Sequence, residues 1–314
     1  MTTTLSPAPP KATAPGTSKE PIKERLAPYA YIAPFFVIFG VFGLVPLLFT
    51  FYVSLFDWNP IGDHVFIGLD NFRRLLDDPR FYNAVRNTFS IWLLSTIPEL
   101  LIALGLAHLL NHVRLKWAVF FRMSMLVPYI TSVAATAIVF LQLFDRDYGL
   151  LNWLLGQVGI GPIDFVQSTW GSHVLIAVMV AWRWTGYNTL LYLASLQAVP
   201  REIYEAAAVD GAGSWAQFRR ITIPSLRPVI VFTIVTSTIG GLQIFTEPLL
   251  LSQSAPLTCG PVRQCQTLTL FLYEQGFGQF QFGYGAAIGV ALFVLVVAFA
   301  GLNFFLSTRG RTDK

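Results

Sequence analysis

Apolar stretches with few or no charges recur along the chain at residues 30–56, 88–110, 123–144, 173–199, 228–251 and 282–306. Each is near the ~20 residues that a helix rising ~1.5 Å per residue needs to cross a hydrocarbon core of ~30 Å. Helices satisfy their own backbone groups in lipid, whereas strands of this length would leave a sheet to close. The pattern predicts an all-α membrane protein with six transmembrane helices. Before the first run, MTTTLSPAPPKATAPGTSKEPIKER is rich in Pro, Thr, Ala and Ser and nearly lacks large apolar side chains. Such a segment cannot offset the entropy of ordering, so residues 1–27 read as a disordered tail and 28–314 as one transmembrane domain. The first apolar run is nearly twice as long as a signal-peptide core, and is expected to stay as a span.

Composition agrees: 54% of the residues are hydrophobic and 12% charged, against about 25% charged in soluble domains. The basic residues form no Lys/Arg tract of the kind that binds nucleic acid, so no nucleic-acid partner is expected. Their distribution sets an orientation. With the N-terminus inside, the cytoplasmic segments hold fourteen Lys and Arg and the outside segments six, Arg73, Arg74, Arg80, Arg86, Arg146 and Arg263. The positive-inside rule then places both termini in the cytoplasm. The two outer loops near 145–172 and 253–281 contain Trp153, Trp170 and several Gly and Pro, as interfacial anchors and turns require. No tandem repeat is evident.

The inner segment 200–227 is too polar to span. Pro200 suits the first turn of a helix, Glu202 and Glu205 favour its positive end, and Ala206, Ala207 and Ala208 are strong helix formers. Gly211 can adopt the left-handed geometry that ends it. Trp215, Phe218 and Ile221 then recur on one face of a second helix, which Pro224 is expected to stop. Periodicity alone fits a helical hairpin resting on the membrane surface.

The spacing adds more. Glu205-Ala206-Ala207, three residues, Gly211, nine residues, Ile221, one residue, Ile223 and Pro224 resembles the EAA loop of binding-protein-dependent ABC importers, with Ile223 where the family often has Leu. FDWNPIGDHVFIGLDNFRRLL, FRMSMLVPYITS and YGLLNWLL, in that order, look like the carbohydrate branch, similar to maltose-type and cellobiose-type permeases. The resemblance implies a type I importer (MetI-like) permease fold in a bacterial or archaeal cytoplasmic membrane. It implies that Glu205, Ala206, Ala207, Asp210, Gly211, Ile221 and Pro224 couple the chain to an ATPase. It also implies a homologous second permease, two ATPase subunits that hold ATP and Mg, and an extracellular sugar-binding protein or lipoprotein.

A sugar path needs aromatic platforms beside amide, carboxylate or hydroxyl groups. The fourth span supplies Trp182, Arg183, Trp184, Tyr187, Asn188 and Tyr192 within eleven residues. The family's passage is lined from this span and the next, and Tyr187 matches by position an aromatic that touches sugar in the maltose-type subunit. On the fifth span Gly240 and Gly241 leave room, and Gln243 and Glu247 add polar groups. Trp184, Tyr187, Asn188, Gln243 and Glu247 are thus the path candidates. The bland alternative is that the aromatics only pack. Arg183 lies near midplane, where a charge is costly unless paired, with Glu99 of the second span or Glu247 as partner.

Other chemistry is thin. His108 and His112 share a helical face, but no Cys, Asp or Glu nearby completes a ligand set, so no metal site is expected. No GxxxxGK[ST] stretch occurs, so ATP must be handled by another chain. No Ser/His/Asp or HExxH arrangement points to an enzyme. Cys259 and Cys265 flank GPVRQ on the oxidising side, where a disulfide would pin the loop, against the alternative of two free thiols. The expected cargo is a di- or oligosaccharide, β-glucosides such as cellobiose being preferred. Glycerol phosphate or a polyol is the rival within the same machinery. An ion-driven transporter would need inverted repeats and broken helices with ion ligands, which the sequence does not display.

Overall fold

The structure, a computed structural model, describes residues 22–60, 62–112, 117–251 and 256–309. Residues 1–21 of the expected tail and the side chain of His112 lie outside what is described. Residues 22–27 do not: helix α1 (Ile22–Phe39) takes them in.

Two compact units divide at Phe49. In the first, α1 passes through a widened turn at Gly40–Leu44 into α2 (Val45–Val53). There the Val45 N–H donates to the Gly40 carbonyl, five residues back. Pro46 follows; it has no N–H, and in a regular helix its ring would meet the carbonyl four residues earlier. The wider turn moves that carbonyl aside, so the helix continues past the proline. Tyr29–Val53 makes 25 residues of apolar helix, long enough to cross a bilayer.

The second unit starts at Thr50. The first span was expected to reach residue 56, but the helix ends at Val53 and Phe56 belongs to a hairpin. Strand β1 (Phe56–Trp58) pairs antiparallel with β2 (His64–Phe66), Phe56 opposite Phe66 and Trp58 opposite His64. Stacking of Trp58 on His64, with ring centroids 4.6 Å apart, closes it. The short amphipathic α3 (Asp70–Asp77) follows, then α4 (Pro79–His112), whose 34 residues start well before the expected residue 88. Pro79 suits a first turn, where its missing N–H would have no partner. Asp78 caps it by accepting from the Arg80 N–H at 2.9 Å.

The third span, expected unbroken over 123–144, is α5 (Ala118–Ile130) and α6 (Val133–Leu143) bent by 94°. Pro128 removes one backbone rung, and Thr131 then takes extended angles (φ −70°, ψ 141°), so the axis turns at Thr131 and Ser132. After α7 (Leu150–Gln157) comes α8 (Thr169–Gln197), 29 residues started by the Ser168 hydroxyl accepting from the Gly171 N–H at 3.1 Å. Helix α8 packs most extensively along α4 and also against α5 and α11. A side chain at Gly186 would place its Cβ 1.8 Å from the Met125 carbonyl oxygen, so only glycine lets α8 and α5 approach this closely.

Helix α9 (Arg201–Val209) and α10 (Ser214–Gln217) form the polar segment. A widened turn at Phe218–Thr222 then leads into α11 (Ile223–Leu242) without interruption. Pro224, expected to stop the second helix, does not. The Ile223 N–H reaches the Phe218 carbonyl, five residues back, and Pro224 follows as Pro46 follows Val45. The fifth span, expected to reach residue 251, breaks at Leu242; α12 (Thr246–Leu251) is separate. The chain ends with α13 (Leu268–Tyr273), a widened turn at Glu274–Gly278 and α14 (Phe282–Arg309).

Among the described residues four helices are long and apolar enough to cross a membrane, and the bent pair gives a fifth if counted as one span. The core of the second unit lies between α4, α8, α11 and α14. Ile91, Leu175, Ile176 and Met179 fill one part of it, Leu242, Phe271, Tyr284 and Ile288 a second, and Ala103, Tyr192, Leu196 and Leu226 a third. A cap over α4 and α8 comes from the segment before α13. There a disulfide joins the buried Cys259 and Cys265. Asn87 Nδ2 donates to the Arg263 and Gln266 carbonyls at 2.9 and 3.1 Å, and the His173 ring meets the Gln264 carbonyl at 2.8 Å.

Candidate functional site

Helix α8 carries aromatic and polar groups on more than one face, and its packing sorts them. Trp182 packs on Phe140, with centroids 5.6 Å apart, and Tyr192 is buried with its hydroxyl 2.6 Å from that of Thr233. Neither lines the cavity that the rest of this set opens on. Arg183, Trp184, Tyr187 and Asn188 instead face a cavity of about 410 Å³ bounded by α4, α5, α8, α11 and α12. Glu99, Gln243 and Glu247 line the same cavity, so it gathers all five path candidates together with Arg183 and Glu99.

Arg183 does not pair with Glu99. Its Nη1 donates to Glu247 Oε1 at 3.1 Å, with both side chains largely buried, while Glu99 accepts from Asn188 Nδ2. The break after Leu242 explains the choice: it turns the chain so that α12 brings Glu247 against α8. Arg183 Nε has no hydrogen-bond partner among the described residues.

Sequence reasoning missed Tyr129. Its ring stacks on Tyr187 at 5.0 Å and meets Trp184 edge-on at 5.1 Å, completing a three-ring corner. Tyr129 stands at the end of α5, just before the break, so an unbroken third span hid its direction. Thr236 and Ser237 were also missed. Their signal was present: with Phe232, Gly240 and Gln243 they recur at helical spacing on an otherwise apolar run. Gly240 has open space beside it, whereas a Cβ at Gly241 would lie 2.4 Å from Trp92 Cδ1.

The second candidate region is the polar segment. No residue of α9 is buried. Gly211 has φ +82° and closes the helix, with the Ala212 N–H donating to the Ala207 carbonyl at 2.8 Å. Tyr204 and Thr222 hydroxyls meet at 3.1 Å, and Gln217 Nε2 donates to the Ala212 carbonyl at 3.0 Å, so α9 is held against the start of the long helix. Phe218 packs between Trp215 and His108, at 5.6 and 4.7 Å, tying the segment to the end of α4. Glu205, Ala206, Asp210, Val209 and Trp215 remain exposed, while Ala207 and Ile221 are half-buried.

The model of the family described as binding-protein-dependent transport system inner membrane component matches residues 80–311, which take in this whole arrangement. The chain belongs to that family. This inner membrane component is therefore a multi-pass permease subunit of an ABC transporter, and ATP hydrolysis belongs to a partner ATPase. The permease is 36% identical over 280 residues to a lactose transport system permease protein of Rhizobium radiobacter, covering 88% of this chain and 92% of that one. It is 34% identical over 308 residues to an arabinooligosaccharides transport system permease protein of Bacillus subtilis, covering 98% and 96%. Its fold is similar to a chain in the crystal structure of a bacterial alginate ABC transporter with a pentasaccharide-bound periplasmic protein. The TM-score there is 0.77 at 22% identity, over 93% of this chain and 97% of that chain.

Proposed function

We propose that the permease imports a di- or oligosaccharide delivered by an extracellular binding protein, moving it through a path shared with a homologous second permease. The observation that carries this reading is the three-ring corner of Tyr129, Trp184 and Tyr187 beside the amides of Asn188 and Gln243. Pyranose rings offer apolar CH faces and a rim of hydroxyls, which aromatic planes and amides match respectively. The sugar names of two relatives, each more than 30% identical over most of the chain, support the same class. Helix α8, at 29 residues, is the fourth of six spans in this reading, with both termini cytoplasmic.

The segment 200–227 transmits motion from two ATPase subunits, which hold ATP and Mg. The exposed Glu205, Val209, Asp210 and Trp215 offer charge and apolar contact to the partner, and the continuous helix from Ser214 to Leu242 joins that contact to the wall of the cavity. The test is uptake of labelled di- and oligosaccharides into proteoliposomes holding the co-purified complex and its binding protein. The expected result is ATP-dependent uptake blocked by vanadate. Uptake driven by an ion gradient without ATP would overturn the reading.

A further inference from the structure

The charges in the cavity bear on which saccharides can pass, an inference that rests on the saccharide reading above. We infer that the Arg183–Glu247 pair makes the path selective for uncharged saccharides and excludes those carrying a carboxylate or a phosphate.

Among the described residues Arg183 is the one cation lining the cavity, and Glu247 matches it at 3.1 Å. Side-chain exposures of 14% and 9% put the pair largely out of contact with solvent, where charges are weakly screened. Glu99 adds a further carboxyl, with Asn188 as its partner, and Tyr129 and Tyr187 add only phenols. The cavity therefore presents no uncompensated positive charge. An anionic sugar could reach the guanidinium only by displacing Glu247, leaving a buried carboxylate without a partner beside a second anion. Both consequences are unfavourable.

A neutral sugar meets no such penalty. Binding one leaves Arg183 Nη1 on Glu247 and makes no demand on the buried Arg183 Nε. The carboxyl oxygens of Glu247 and Glu99 accept from hydroxyls, which a uronate or phosphate group has lost at the substituted position. The pair then serves two ends: it holds an acceptor in place and cancels the charge that would otherwise attract anions.

The test is equilibrium binding to the assembled transporter in nanodiscs, followed by tryptophan fluorescence. Cellobiose, lactose and maltose are compared with glucuronosyl-glucose. The expected result is that the best neutral disaccharide binds at least tenfold more tightly than the uronate. Glu247→Gln, which uncovers Arg183, should narrow that ratio at least tenfold. Arg183→Gln, which uncovers Glu247, should widen it, so either variant decides if the other does not assemble. A wild-type complex that binds the uronate as tightly as the neutral sugars would overturn the inference, as would an assembled variant that keeps the wild-type ratio. Failure of every sugar to bind would instead overturn the saccharide reading, and this inference with it.

Discussion

At the scale of single residues, the buried polar contacts decide what can be changed. Asn188 and Glu99 are each about 2% exposed and hold one another. Asn188→Leu leaves the carboxyl without its donor, at a cost of about 1–3 kcal/mol. The expected outcome is a lower unfolding temperature of the assembled complex, largely recovered in Asn188→Leu/Glu99→Leu. A double variant no more stable than the single one would count against this account. Outside the spans, Asp78 and Glu274 are the informative carboxyls. Burial pushes each up. For Asp78, hydrogen bonds from the Arg80 side chain and backbone and from Tyr284 outweigh it; for Glu274, those from Arg263 and Gln266 do. Both are held below their ordinary values of 3.8 and 4.5. A carboxyl with a lowered folded pKa adds stability above its unfolded pKa and loses it as pH falls through the folded value. The cap should thus stay closed to about pH 4 and loosen only below it. Arg263→Met removes the counterweight to burial, so the Glu274 pKa rises and acid loosening moves to higher pH. Amide exchange across residues 256–281 reads this directly, and an unmoved acid transition would refute it.

At the scale of elements, two backbone devices explain most differences between sequence and structure. A proline two residues beyond a widened turn does not end a helix, as Pro46 and Pro224 both illustrate. The sequence cue for a stop at Pro224 was sound for a regular helix and failed because the turn before it is wider. Gly211 is the opposite case: its role in ending α9 was legible, because a left-handed residue after an Ala-rich helix points to glycine. Its φ of +82° costs an L-residue about 1–2 kcal/mol, and nothing lies within 4 Å of an added Cβ. Gly211→Val should therefore disturb the backbone of the segment without a clash, lowering sugar-coupled ATP turnover several-fold. Gly211→Asn, which tolerates that geometry, should lose less. Equal turnover in Gly211→Val and the wild type would separate this turn from coupling.

At the scale of the whole molecule, the helical class and the polar segment at 200–227 were readable, because lipid imposes length and charge rules on each stretch separately. The contents of the cavity were half readable. Residues of α8 could be named from composition, but which of them turn inward depends on what α4 and α5 pack against. The partner of Arg183 and the place of Tyr129 depend on two breaks, at Thr131 and after Leu242, that no single apolar run records. Orientation depends on the distribution of charge alone, and so carries the most exposed prediction. Both native cysteines are in a disulfide and give no background to a thiol reagent. Tyr148 and Val209 are 95% and 89% exposed, on the loop after α6 and at the end of α9 respectively. With fourteen basic residues inside against six outside, Tyr148→Cys should react with a membrane-impermeant maleimide in intact cells. Val209→Cys should react only after the membrane is opened. The reverse pattern would invert the molecule and put the segment at 200–227 on the wrong side for any ATPase, so this pair of labels tests orientation and coupling together.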